Sequence, residues 1–258
     1  MAVRSGLPAA TRSTAREPSP SMTAVNAPTG PDPDADPTSE GQAPTARVTV
    51  KRQPARARYD REAVHAILDE GMVAHVGIAV DGQPYVLPMV YARDGERLLL
   101  HGSVASRLTR ALADGIAVCV TVTLLDGLVM ARSAFHHSMN YRSVVVLGTA
   151  RKVTEPAEIA AGFARLVEHV APGRSAEVRA PNDVEIRQTV LLEVPLVEAS
   201  AKSRTGGPVE DPIDLDEPSW GGVLPVSTDF GPPQADDDVP AGVSPPASLV
   251  RYRRPAGG

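Results

Sequence analysis

From residue 59 to residue 204 the apolar positions recur with two periods, and each switch between them marks an element. Val64, Ile67 and Leu68 share one helical stripe, with Asp60 placed to cap and Gly71 to stop it, which predicts a helix from Asp60 to Glu70. Runs over residues 73–80, 83–92 and 97–102 then read as strands, separated by Asp81-Gly82 and Asp94-Gly95. Those dipeptides suit tight hairpin turns, so the three runs form an antiparallel meander. Pro84 and Pro88 each remove a ladder donor, which makes part of the second strand an edge, a bulge or a place where a ligand replaces a neighbour.

Past His101-Gly102-Ser103 the spacing turns helical, with Leu108, Ala111 and Leu112 on one face and Gly115 as the stop. Strands resume over 116–125 and 128–135, flanking a third expected turn at Asp126-Gly127, and again over 144–153. A helix over 156–170 has proline in its first turn and Ile159, Phe163, Leu166, Val167 and Val170 on its apolar side. A strand over 189–197 brings the expected number to about seven. Short hairpin-linked strands with a few outlying helices predict a mainly β fold, a small antiparallel β-barrel with flanking helices. No βαβαβ alternation, GxGxxG or GxxxxGK[ST] occurs, so parallel dinucleotide and P-loop folds lack their signatures.

Proline sets the domain boundaries. Of 25 prolines, nine precede residue 59 and ten follow residue 204, leaving six where strands and helices need amide protons. The expected organisation is a disordered tail over 1–45, a barrel domain over 46–204, an extension over 205–228 that packs on the barrel, and a disordered tail over 229–258. Formal charge divides into +3 before Tyr59, −2 from Tyr59 to Arg204 and −6 after it. A near-neutral centre lacks the basic field that nucleic acid requires. The lone Cys119 cannot close an internal disulfide, and its apolar setting reads as core. No apolar run is long enough to span a membrane and no signal core opens the chain, so a cytoplasmic location is expected.

Two segments gather polar chemistry. Residues 101–112, HGSVASRLTRAL, end a strand in a Gly-Ser turn and start a helix with Ser106-Arg107, collecting amides, the hydroxyls of Ser103 and Ser106 and a guanidinium suited to phosphate. The alternative is that Ser103 only caps the helix while Arg107 and Arg110 face solvent. In residues 131–148, the eight residues 136–143 read as a polar loop whose donors suit the carbonyls and ring nitrogens of a flavin. His136-His137 invites a metal reading, but adjacent strand residues diverge, HExxH is absent and no cysteine is near; no metal is expected. His65 and His169 read as ordinary helix residues, and His75 and His101 as facing barrel or solvent. Without GxSxG a serine hydrolase is unsupported. Lys202 and Arg204 leave the last strand where they can reach an anion or solvent, and Trp220, the only tryptophan, is expected to dock on the barrel.

Taken in order, PYVLPMVY (84–91), LLLHGSVASRLTRAL (98–112), the stretch from Cys119 to Gly148 and EASAKSR (198–204) resemble the pyridoxamine 5′-phosphate oxidase-like FMN-binding split barrels, in particular their nitroimidazole-reductase-like branch. The resemblance covers residues 48–226. It implies that Ser106 and Arg107 hold the FMN phosphate, that Val86, Leu87, Pro88 and Met89 pass along the flavin, and that Asn140, Tyr141, Arg142 and Ser143 meet its ring or ribityl chain. Lys202 is a further cofactor contact, and Tyr85, Tyr91, His136 and His137 are candidates for the substrate pocket. It also implies a homodimer with two flavin sites at the interface. The implied activity is FMN-dependent oxidoreduction from a reduced nicotinamide to a small acceptor. A non-catalytic flavin sensor and a barrel holding haem or a deazaflavin are the alternatives. The Arg-x-His signature of true pyridoxamine phosphate oxidases is absent, since no histidine follows His169, and this argues against vitamin B6 oxidation.

Overall fold

In the computed structural model, which describes residues 42–253, each Asp-Gly hairpin of the meander is present. A short strand β1 (Ala57–Arg58) leads into α1 (Arg61–Glu70), where the Asp60 carboxylate accepts from the Ala63 amide at 2.8 Å. β2 (Val73–Val80), β3 (Gln83–Asp94) and β4 (Arg97–Ser103) follow, and Gly82 and Gly95 take the positive φ that their turns require. α2 (Arg107–Ala113) precedes the long hairpin of β5 (Ala117–Met130) and β6 (Ser138–Thr149). Then come β7 (Arg151–Lys152), α3 (Pro156–Val170), α4 (Asp183–Gln188), β8 (Thr189–Pro195), β9 (Glu198–Arg204), β10 (Gly222–Pro225) and α5 (Ala247–Val250).

All pairings are antiparallel, in the order β1-β9-β6-β5-β2-β3-β4-β8-β7, with β10 added beside β5. β3 carries the turn in this sheet: residues 83–90 pair with β2, and residues 91–94 pair with β4. The sheet curls around one core in which Val120, Val122, Val144 and Val146 of one half meet Leu98, Leu100, Leu192 and Val194 of the other. α1 inserts Ile67 and Leu68 between them. A second, smaller core lies outside, where α3 brings Leu166, Ile159 and Phe163 against Ala92, Leu99 and Leu191. This is the split-barrel arrangement, with ten strands among the described residues instead of about seven.

Three differences from expectation have local causes. Asp126-Gly127 is not a hairpin: β5 runs through it, and the register with β6 slips by one residue between Leu125 and Gly127. Arg142 grips the Asp126 carboxylate at 2.8 Å, while the Asp126 carbonyl accepts from the Val226 amide at 3.0 Å, so the dipeptide is held as a bulge. Second, the polar run 138–143 is strand, not loop; the hairpin is confined to residues 131–137. Third, β8 answers to the strand expected over 189–197, and residues 198–204, read as the exit from it, form a further strand, β9, which pairs with β6 and β1. Cys119 lies on the outer face of β5, half-buried, its sulfur 3.8 Å from the Thr121 hydroxyl.

The N-terminal tail expectation falls, through residue 41, outside the described residues. Within residues 229–253, expected as a tail, Phe230 and Tyr252 pack edge to face at 4.6 Å and the Tyr252 hydroxyl donates to the Val170 carbonyl. No described helix is long and apolar enough to cross a membrane.

Candidate functional site

Where β4 ends, Gly102 lets α2 come close: a Cβ there would lie 2.3 Å from Thr109 Oγ1, and Thr109 is fully buried. Ser103 Oγ accepts from the Ala105 amide at 3.2 Å, and Ser106 caps α2 by accepting from Thr109 N at 3.4 Å. Both hydroxyls therefore serve the turn. Arg107, the first residue of α2, is exposed, has no carboxylate partner among the described residues, and lies over the Tyr85 ring at 4.3 Å. The stack fixes the guanidinium beside β3 with its donors available to an anion. α2 has only seven residues, so the side chain, more than the helix end, supplies the positive charge here.

β3 brings Val86 (65% exposed), Leu87 and Pro88 to the surface next to this corner, whereas Met89 turns toward the core. Tyr91 departs from the expected pocket. It is fully buried, its hydroxyl donates to the Leu68 carbonyl at 2.5 Å, and its ring lies 4.7 Å from that of His169.

Strand alternation divides the four expected flavin contacts on β6. Asn140 is buried and uses both ends of its amide, donating to the Gly206 carbonyl at 3.1 Å and accepting from Arg204. Arg142 is likewise spent. It bridges Glu70 and Asp126, and those carboxylates raise its pKa against the effect of burial. Tyr141 and Ser143 take the other face. In cross-strand register Ser143 stands between Thr123 and Lys202, and its hydroxyl donates to the Lys202 carbonyl at 3.3 Å. Lys202 Nζ donates to the Arg52 carbonyl of the N-terminal segment at 3.0 Å.

The histidines separate into distinct roles. His101 lies beneath α3, 5.9 Å from the Phe163 ring; its Nδ1 is buried without a hydrogen-bond partner, and burial lowers its pKa. His136 Nδ1 is 2.9 Å from Ser133 Oγ and 3.3 Å from Asp214, with Asp211 3.9 Å from Nε2. His137 Nδ1 meets the Ser133 carbonyl at 2.9 Å.

Those aspartates belong to an arm, residues 205–226, within the extension over 205–228 for which the sequence predicts packing on the barrel through Trp220. Glu210 is the anchor: its carboxylate accepts from the Arg132 amide and guanidinium, each at 2.5 Å, and these bonds hold it below the usual carboxylate range. The acidic run after Gly206-Gly207 was the available signal, since carboxylates in that number seek cations elsewhere in the fold. Trp220 does not dock into the barrel; it is 68% exposed and its ring rests on Gly222. A groove of about 600 Å³ opens at the barrel mouth between Met72, Leu124 and Arg142 on one side and Phe230 and Tyr252 on the other.

The family model described as pyridoxamine 5′-phosphate oxidase matches residues 60–203. Among solved structures, the flavocytochrome Anf3 from Azotobacter vinelandii is 40% identical with a TM-score of 0.78, the match covering 83% of this chain and 99% of that one. The FAD and heme binding protein from Mycobacterium smegmatis is 35% identical with a TM-score of 0.72, over 75% of this chain and 95% of that one. Both likenesses span more of the chain than the family segment does. No curated protein matches.

Proposed function

This chain belongs to the pyridoxamine 5′-phosphate oxidase family, and from that premise we propose that it is a flavin-dependent oxidoreductase, active as a homodimer. The observation that carries the reading is the free guanidinium of Arg107, fixed over Tyr85 beside an exposed apolar strand. A ribityl phosphate is a dianion that matches this fork, and the flat face of a flavin matches the uncharged surface of Val86 and Pro88. Tyr141, on the outer face of β6, supplies a hydroxyl donor for the ring or ribityl chain, and Ser143 beside it, its proton given to the Lys202 carbonyl, a hydroxyl acceptor. The residues present thus fit the group.

A bound flavin supplies hydride acceptance from a reduced nicotinamide and delivery of electrons to a small acceptor. The chain's part is to grip the phosphate with Arg107, keep water from one face of the ring with β3, and hold the ring by the β6 hydroxyls. Ser103 and Ser106 shape the turn that presents Arg107.

FMN is the cofactor that the phosphate corner suggests. A second reading, FAD with haem as a further redox group, is favoured by the relative at 35% identity, named as an FAD and heme binding protein, and the one at 40%, a flavocytochrome, agrees with a flavin and a haem together. A phosphate on the ribityl chain is common to FMN, as a dianionic monoester, and to FAD, as one half of a pyrophosphate, so Arg107 meets an anion in both. The test is purification followed by absorbance and chromatography of the released cofactor, then nicotinamide oxidation with an added acceptor. Colourless protein that takes up neither flavin ends the proposal; a bound flavin that no nicotinamide reduces ends the oxidoreductase part of it.

A further inference from the structure

The outer face of the sheet is unlike a solvent face. Across it, Val86 of β3 aligns with Gly77 of β2, then with Cys119 of β5 and Leu147 of β6, four positions without a charged side chain before the row ends at Glu198 of β9. Antiparallel sheets that meet water usually alternate to polar residues there. Farther along, β10 pairs with β5 past the stretch that β2 occupies, so Leu224 joins Leu128 and Met139 in another such row. The arm therefore widens the same apolar surface.

Two large rings project from this end. The chain has one tryptophan and three phenylalanines, and Trp220 is 68% and Phe135 89% exposed. Trp220 is not on a loose segment: Glu210 clamps the arm to Arg132 before it, β10 secures it after it, and the ring lies against Gly222, where a Cβ would come within 2.7 Å of it. A large ring held outward at little further entropic cost is the form of an interface anchor.

Charge identifies what covers it. The arm's Asp216 and Glu217 have no cationic partner among the described residues, and Lys51, Arg52 and Arg56 have no carboxylate partner there. The basic edge is real electrostatically: burial, and then the neighbouring Arg56 cation, lower the pKa of Arg204. One chain thus carries both halves of a complementary pair, as an isologous contact between two copies requires. Residues 1–41 contain no apolar run with which to cover the face instead.

We propose that the arm reaches a second copy of this chain and that Trp220 is buried there; this rests on the homodimer reading above and adds the element that secures it. Because Trp220 is the only indole, its fluorescence reports on the contact directly. In the full-length, cofactor-loaded protein, emission should be blue-shifted and shielded from iodide when sizing gives a dimer, and should shift to the red as dilution dissociates it. Trp220→Glu should weaken dimerisation at least about tenfold with unchanged far-UV dichroism. Trp220→Phe should keep most of the dimer. A dimer whose indole remains open to iodide, or a Trp220→Glu protein that dimerises as the parent does, overturns this proposal and leaves the homodimer reading intact. A chain that is monomeric at every concentration removes both.

Discussion

Arg107 and Arg142 lie in motifs that look equally suited to an anion, and the structure gives them opposite fates. Arg142 already balances two carboxylates, whereas Arg107, without a carboxylate partner among the described residues, lies over the face of Tyr85. Arg107→Ala should therefore weaken flavin retention by about tenfold or more, and Arg107→Glu further, measured by titrating the stripped protein with FMN and with FAD. Arg142→Ala should act on stability, because it leaves Glu70 and Asp126 facing each other at the barrel mouth; a lowered melting temperature with little change in flavin affinity is the expected pattern. His101 gives a pH dependence. Burial sets its folded pKa below the ordinary 6.5, so the unfolded chain binds the proton more readily. Its contribution is therefore intact above 6.5 and declines as pH falls through the lower folded value. In His101→Phe that part of the acid slope should disappear from denaturant midpoints measured across this range.

Among the elements, the hairpins with Asp-Gly turns and the two long helices were legible because local chemistry and periodicity agree there. α3 spans the predicted residues, with Pro156 at its start. What failed to show were features decided by distant partners. Asp126-Gly127 reads as a turn until Arg142 and Val226 occupy the aspartate. The run 138–143 reads as a loop because it is polar, yet its backbone pairs with both β5 and β9, and this alternation sent Asn140 and Arg142 away from the face that Tyr141 and Ser143 take. Tyr91 is indistinguishable in sequence from Tyr85, and the two share a parity on β3; depth in the core and the Leu68 carbonyl separate them. Close packing between elements is testable at Gly162 in α3. A Cβ there would meet Leu191 Cδ2 at 2.4 Å, and Leu191 is itself buried, so Gly162→Ala should cost roughly 1–3 kcal/mol in chemical denaturation.

For the whole molecule, the segment ahead of the barrel and the arm behind it call for different experiments. Deleting residues 1–45 should leave fold and cofactor in place, because a proline-rich polar composition offers little apolar area to bury; the measurement is the yield and flavin content of the shortened protein. The arm should respond to acid. Glu210 is held below its ordinary pKa of 4.5 by Arg132, so its anchoring is complete above that value and lost as pH falls through the lower folded one. Amides of β10 should exchange faster in that acid range than those at the centre of β5.

The slipped register at residue 126 also governs which length changes the chain can tolerate. Ahead of it β5 buries its even-numbered valines, and beyond it Val129 is buried in their place. Removing residue 126 itself would leave a continuous ladder, with Gly127 still opposite Asn140 and Val129 still inside, whereas a codon lost earlier in β5 would turn over the side chains between that point and the bulge. The Asp81-Gly82 turn, with nothing within 4 Å of an added Cβ at Gly82, has no such frame to keep. Natural variation in length should therefore accumulate at that tip, and within β5 be confined to residue 126, the one position whose loss keeps the sheet's two faces in frame.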